Sequence, residues 1–239
     1  MSATNRSFAL PKVANTLEAR MLGLAIVLAI GLSLISPHFF TERNMFNILD
    51  QSVVLGIVAV GMTLVILTGG IDLSVGSVAG LCGIILALFL KEMPIPVAIV
   101  LAVGCGALIG LFSGVLIAIF GLAPFVVTLG VMAMGRSLAY IVSGQRSISG
   151  LPLGLQDIVY TNFLGIPANV LFLLALYIVT WAWLTYSKGG RTIYAVGSNI
   201  EAARAAGLNT LFYSVFPYVA SGALAAVATG DRVQREQAH

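Results

Sequence analysis

Residues 63–80 read TLVILTGGIDLSVGSVAG. The stretch begins as an apolar helix over Thr63–Thr68 and breaks at Gly69 and Gly70. It then places a carboxylate at Asp72 and resumes with Ser74 and a run of small and apolar residues. Irregular backbone at membrane depth is tolerated only where protein or water surrounds it, because lipid offers no hydrogen-bond partner. Two readings follow. In one, the glycines make a short turn between two spans, and Asp72 caps the next helix by accepting from the N–H of Ser74 or Val75. In the other, a broken helix lines a polar path. The two are compatible.

The rest of the chain supplies the membrane context. Of 239 residues, 59% are hydrophobic and only 9% are charged, with a mean hydropathy of +1.04. Soluble domains carry about 25% charged residues, so this composition excludes a water-soluble domain. It predicts an all-α, polytopic transmembrane helix bundle. Apolar runs fall at about 20–36, 51–68, 72–90, 95–119, 123–143, 168–186 and 211–229, giving about seven spans. Most approach the roughly 20 residues that a helix needs to cross the hydrocarbon core. The predicted organisation is an N-terminal segment (1–19), a membrane region (20–229) and a polar tail (230–239). The first run is followed by Ser36-Pro37-His38-Phe39-Phe40, which is no small-residue cleavage site, so it reads as an uncleaved span.

Loop cations set the orientation. With a cytoplasmic N-terminus, Arg6, Lys12, Arg20, Lys188, Arg191 and Arg204 lie inside, while Arg43, Lys91 and Arg146 lie outside. The net charge of +3 is spread along the chain, with no basic patch interleaved with aromatics, so nucleic acid is not an expected partner. Cys82 and Cys105 fall inside predicted spans and read as small packing residues. His38 and His239 have no companions at ligand spacing, and no metal site is proposed.

Gly106, Gly110 and Gly114 recur every four residues, as do Gly76 and Gly80, a spacing that lets helix backbones approach closely. Arg136 stands inside the fifth run. Either it snorkels to the outer headgroups, or it faces the bundle interior and needs an acceptor.

Residues 187–210, SKGGRTIYAVGSNIEAARAAGLNT, form the longest informative polar segment. Asn199 is a good N-cap, Glu201 lies in the first turn, and Gly207 is placed for a left-handed stop. The two-turn helix between them is marginal alone, so it is expected to rest on something else. No Gly-x-x-x-x-Gly-Lys-Ser/Thr loop occurs in the chain, nor a Ser/His/Asp or Cys/His set. ATP hydrolysis and other enzyme chemistry are therefore not expected of this chain.

GMTLVILTGGIDLSVGS (61–77) and GRTIYAVGSNIEAARAAGL (190–208) resemble signatures of bacterial ABC importer permeases of the ribose, galactose and xylose class. PHFFTERNMFNIL (37–49) is similar to the segment after that family's first span. Glu201-Ala202-Ala203 followed by Gly207 resembles the family's EAA loop, which docks on the ATP-binding subunit. The resemblance implies a multi-pass permease in the bacterial inner membrane, carrying a sugar or sugar-like solute by alternating access. It implies a cytoplasmic ATP-binding subunit that uses ATP, a second permease copy or homologue, a periplasmic sugar-binding protein and membrane lipids as partners. This chain itself would bind no cofactor. Gly190, Arg191, Asn199, Glu201, Ala202, Ala203 and Gly207 are the expected coupling residues. Gly69, Gly70, Asp72, Ser74 and Arg136 are expected at the broken helix and translocation path. The resemblance stops near residue 228, and DRVQREQAH (231–239) is unlike the family, which implies a shortened chain with a disordered polar end. A docking-only variant and a secondary transporter are the rival readings.

Overall fold

The computed structural model describes residues 16–146, 148, 162–163 and 166–235; side chains beyond Gly230, and those of Glu18, Asp50, Asn162, Phe163 and Ile166, lie outside that description. Arg6 and Lys12 of the orientation count, and His239, fall outside it as well.

The chain divides into two compact units, Met1–Leu49 and Asp50–His239. The first contains α1 (Leu17–Ile35), whose N-cap Thr16 accepts from the Ala19 N–H at 3.3 Å. Most of the large apolar side chains of α1 are exposed, as suits a helix that meets lipid. After α1, Asn44 Nδ2 donates to the Phe39 carbonyl at 2.7 Å, and Phe39 and Phe40 pack edge to face.

The second unit is built from α2 (Glu42–Leu67, which begins in the first unit), α3 (Val75–Glu92), α4 (Ile95–Ala118), α5 (Pro124–Ser143), α6 (Ala168–Tyr186), α7 (Lys188–Ser198), α8 (Ile200–Ala205) and α9 (Thr210–Arg235). Among the described residues six helices are long and apolar enough to cross a membrane: α2 to α6 and α9. The apolar part of α1, Ala19–Ile35, is shorter. The all-α polytopic expectation holds. Six full-length spans among the described residues stand where the sequence predicts about seven, and a two-residue antiparallel pairing between β1 (Asn162–Phe163) and β2 (Ile166–Pro167) precedes α6.

The core of the second unit lies where α9 packs on α4 and α3, and α3 on α5. Val78, Cys82, Val127, Val131, Ala225 and Ala226 form one buried cluster, while Leu86, Leu90, Ala98 and Ala102 close α3 on α4. Small residues set the α4–α9 distance. A Cβ on Gly110 would strike the Tyr218 carbonyl, one on Gly106 the Gly222 carbonyl, and one on Gly114 would come within 3.0 Å of the Val215 carbonyl. The four-residue glycine spacing is therefore a backbone-to-backbone seam. Thr229 Oγ1, donating to the Ala79 carbonyl at 2.7 Å, ties α9 to α3.

Three expectations change. The second run starts not at 51 but at Glu42, because Thr41 Oγ1 accepts from the Asn44 N–H and Glu42 sits in the first turn, a favourable start for a helix. The polar segment 187–210 holds two helices rather than one: α7 is nucleated by Ser187 Oγ accepting from the Gly190 N–H at 2.9 Å, and it buries Thr192, Ile193 and Val196 on one face. Finally, α9 does not stop at 230 but continues to Arg235. Loss of apolarity does not end a helix that is already nucleated, since each further residue adds a bond at low cost.

Candidate functional site

The break at 69–74 is built by standard end chemistry. Gly69 adopts φ +78°, the left-handed conformation that glycine enters at no steric cost. Gly69 N–H donates to the Ile66 carbonyl at 2.9 Å and Gly70 N–H to the Val65 carbonyl at 3.0 Å. That is the paired bonding of a Schellman stop. A Cβ on Gly70 would strike the Tyr218 hydroxyl, so this position is held to glycine by space as well.

Asp72 is buried, at 4% exposure. Its Oδ1 accepts from the Ser74 N–H at 3.0 Å and from the Ser74 hydroxyl at 2.6 Å, while Oδ2 accepts from the Ser221 hydroxyl at 2.8 Å. Three donors on one carboxylate offset the cost of its burial. The expected acceptance from Ser74 is therefore present, but the N-cap of α3 is Ser74 itself, with Asp72 two residues before it. Asp72 also sits at the positive end of the α3 dipole. Thr128 Oγ1 reaches the Ile71 carbonyl at 3.4 Å, bringing the start of α5 to the same place.

The five residues expected at the path do not form one site. Gly69 and Gly70 line a cavity of about 300 Å³ together with Thr68, Pro124, Arg204 and Tyr218. Asp72 and Ser74 are buried and line neither that cavity nor the one beside Arg136. Arg136 is exposed and lines a separate cavity of about 530 Å³ between α3 and α5. It makes no ion pair or hydrogen bond among the described residues. Facing hydrocarbon at the centre of a span, an arginine costs about 2.5–3.5 kcal/mol on insertion scales.

The seven residues of the coupling set are brought together by α7 and α8. Gly190 packs so closely on the Leu184 backbone that a Cβ would strike the Leu184 carbonyl. Arg191 is exposed, with one guanidinium nitrogen 3.5 Å from the Tyr186 carbonyl. Asn199 Oδ1 accepts from the Ala202 N–H at 2.9 Å, the expected cap. Ala203 is buried, whereas Glu201 and Ala202 face outward, and Glu201 meets Arg204 at 3.4 Å. Gly207 adopts φ +76°, with Gly207 N–H bonded to Arg204 and Leu208 N–H to the Ala203 carbonyl. This is the same helix stop that ends α2.

Sequence reading missed the residue that joins the two regions. A Cβ on Gly197, in α7, would strike the Leu67 carbonyl at the last residue of α2. The polar segment thus rests directly on the break. Gly197 lies within the quoted stretch 190–208, but nothing in a single sequence distinguishes a contact glycine from a flexible one.

The described residues thus form an all-α bundle of membrane-length helices in which a short capped segment packs on the turn between two of them. The chain belongs to the family described as branched-chain amino acid transport system / permease component, which matches residues 44–231. It is similar to the galactofuranose transporter permease protein YtfT of Escherichia coli K12, with 35% identity over 218 residues, covering 87% of this chain and 64% of that protein. It is similar to the ribose import permease protein RbsC of the same strain, with 37% identity over 216 residues, 88% of this chain and 67% of that one. The autoinducer 2 import system permease protein LsrC of Salmonella typhi is 32% identical over 218 residues, 90% of this chain and 62% of that one. The chain thus spans about two thirds of the length of these relatives. No solved structure matches it significantly.

Proposed function

We propose that this chain is a transmembrane permease subunit of an ATP-driven ABC importer for a sugar or sugar-like solute, in the bacterial inner membrane with its N-terminus cytoplasmic. The observation that carries the reading is the Gly197–Leu67 contact, which seats the capped segment 188–207 on the end of the broken span. A load applied to α8 from outside the bundle can reach the break through the Gly197–Leu67 contact. The outward-facing Glu201 and Ala202 supply a docking surface for a cytoplasmic ATP-binding subunit, which hydrolyses the ATP. A second permease copy or homologue completes the membrane unit, and a periplasmic binding protein delivers the solute. The Lys and Arg bias supports the orientation. The sugars in the relatives' names support the solute class.

The test is uptake of D-ribose, D-galactose and D-allose into vesicles containing the chain with its ATP-binding subunit and binding protein. Uptake of at least one aldose is expected, and it should vanish when the partner's nucleotide-binding lysine is replaced. Uptake that persists without hydrolysis overturns the reading.

A further inference from the structure

The cavity between α3 and α5 presents a polar surface between the first half of α3 and the second half of α5, two membrane-length helices. Its α3 wall is Gly76, Ser77 and Gly80, and its α5 wall carries Arg136, Tyr140 and Ser143. The two helices run in the same direction here. Ile71 meets Thr128 at their starts, and further along a Cβ on Gly135 would lie 3.0 Å from Ser77 Oγ. Gly76 and Gly80 have nothing within 4 Å of where a Cβ would be, so the α3 wall is recessed and open.

Arg136 decides what fills that recess. It lies seven residues before Ser143, the end of α5, which is about 10 Å of helix rise. The Cα–Cβ bond of a helical residue tilts toward the helix N-terminus, which for Arg136 is away from this nearer end. Snorkelling along the helix is therefore poorly supported. The guanidinium has no acceptor among the described residues, and a charge at that depth faces water, a polar ligand or another polypeptide, not hydrocarbon.

We infer that the α3–α5 recess is a water-filled groove that receives a neutral polyol, with Arg136 donating to solute hydroxyl oxygens and Tyr140 and Ser143 supplying hydroxyls beside it. The identification of the ligand as a polyol rests on the importer reading; the aqueous character of the groove does not. A guanidinium offers five donors and no acceptor, while Tyr and Ser hydroxyls both donate and accept. Together they match a ring bearing several hydroxyls. The recess beside Gly76 and Gly80 admits the ring's bulk. Asp72 takes no part, because its oxygens are already engaged by Ser74 and Ser221.

The experiment uses the full chain in native membranes with Cys82→Ala and Cys105→Ala, so that single cysteines are read alone. Gly80→Cys and Ala139→Cys probe the groove from α3 and from α5. Val179→Cys, on an exposed apolar face of α6, is the lipid-facing reference. A membrane-impermeant, charged thiosulfonate reagent is expected to modify both groove cysteines at least about tenfold faster than Val179→Cys, since modification requires an accessible thiolate. D-Ribose, D-galactose or D-allose at high millimolar concentration is expected to slow that modification, and L-leucine is not. Groove cysteines as slow as Val179→Cys overturn the proposal. Fast modification that no aldose slows, or that leucine slows, overturns the polyol assignment. Labelling requires neither ATP nor a partner. Modified cysteines without ATP-dependent uptake therefore support the groove while removing the transport reading, and the reverse result removes the groove alone.

Discussion

Ser221 donates its hydroxyl to Asp72 Oδ2 at 2.8 Å, joining two residues 149 positions apart. The bond ties the break between α2 and α3 to the middle of α9. The same serine's backbone also lies close to α2, since a Cβ on Gly61 would lie 2.9 Å from Ser221 Cα. The carboxylate therefore joins the N-cap of α3 to α9, and α2 packs on the same serine. Asp72 acts here as a structural hub, whereas Arg136 lines a separate cavity between α3 and α5.

Asp72→Ala is expected to destabilise the chain more than Ser221→Ala. Removing Ser221 Oγ deletes one bond to a carboxylate that keeps two others, at a cost of about 1.5–3 kcal/mol. Removing the carboxylate leaves the Ser74 and Ser221 hydroxyls in a buried place without their acceptor. Thermal unfolding of the detergent-solubilised variants checks the order. Equal midpoints for the two would show that Asp72 is not the hub.

Gly110→Val is expected to prevent close packing of α4 on α9, while Gly104→Ala is neutral or mildly stabilising. A Cβ on Gly110 meets the Tyr218 backbone, whereas one on Gly104 meets nothing within 4 Å. In a helix interior Ala is favoured over Gly by roughly 0.5–1 kcal/mol. The measurement is the fraction of each variant that remains monodisperse after extraction and heating. Comparable losses for both would contradict the seam.

Much of this architecture is legible in the sequence because its signals are local. The membrane spans follow from apolar length, Gly69 and Gly207 from helix-stop chemistry, and Asn199 from its capping position. The seam at Gly106, Gly110 and Gly114 follows from spacing, although spacing cannot say which helix fills it. What escaped was set by tertiary contact. Helix α7 opens with Lys followed by two glycines, which are poor helix formers, and exists because Ile193 and Val196 find a buried face. Gly197 is a contact point only because Leu67 arrives there. The split between Asp72 and Arg136 was equally invisible, since burial of one and exposure of the other depend on how α3, α5 and α9 pack.

Gly197→Val is expected to separate the polar segment from the break while leaving the spans inserted. The Leu67 carbonyl occupies the space that a side chain would need, so α7 must lift or α2 must shorten. Limited proteolysis between residues 187 and 210 should become faster, and reporter-based insertion should stay unchanged. Unaltered cleavage would mean that the contact at Leu67 is not what holds the segment.

Glu201→Ala and Gly207→Pro are expected to differ in how they weaken capture of an ATP-binding subunit. Glu201 is exposed, and its pairing with Arg204 is a surface contact that contributes about 0–1 kcal/mol. Its loss should leave α8 folded, so any lost capture reports directly on the outward face. Gly207 is different. Proline cannot adopt its φ of +76°, and it removes the N–H that bonds to the Arg204 carbonyl. Gly207→Pro therefore unravels the end of α8 and displaces Glu201 and Ala202 together, which predicts the larger defect. Gly207→Ala keeps the N–H but pays about 1–2 kcal/mol for the left-handed backbone, and should fall between wild type and Gly207→Pro. Co-purification of the ATP-binding subunit with each variant, normalised to the amount of permease in the membrane, gives the order. Undiminished capture by both Glu201→Ala and Gly207→Pro would remove the docking role from α8.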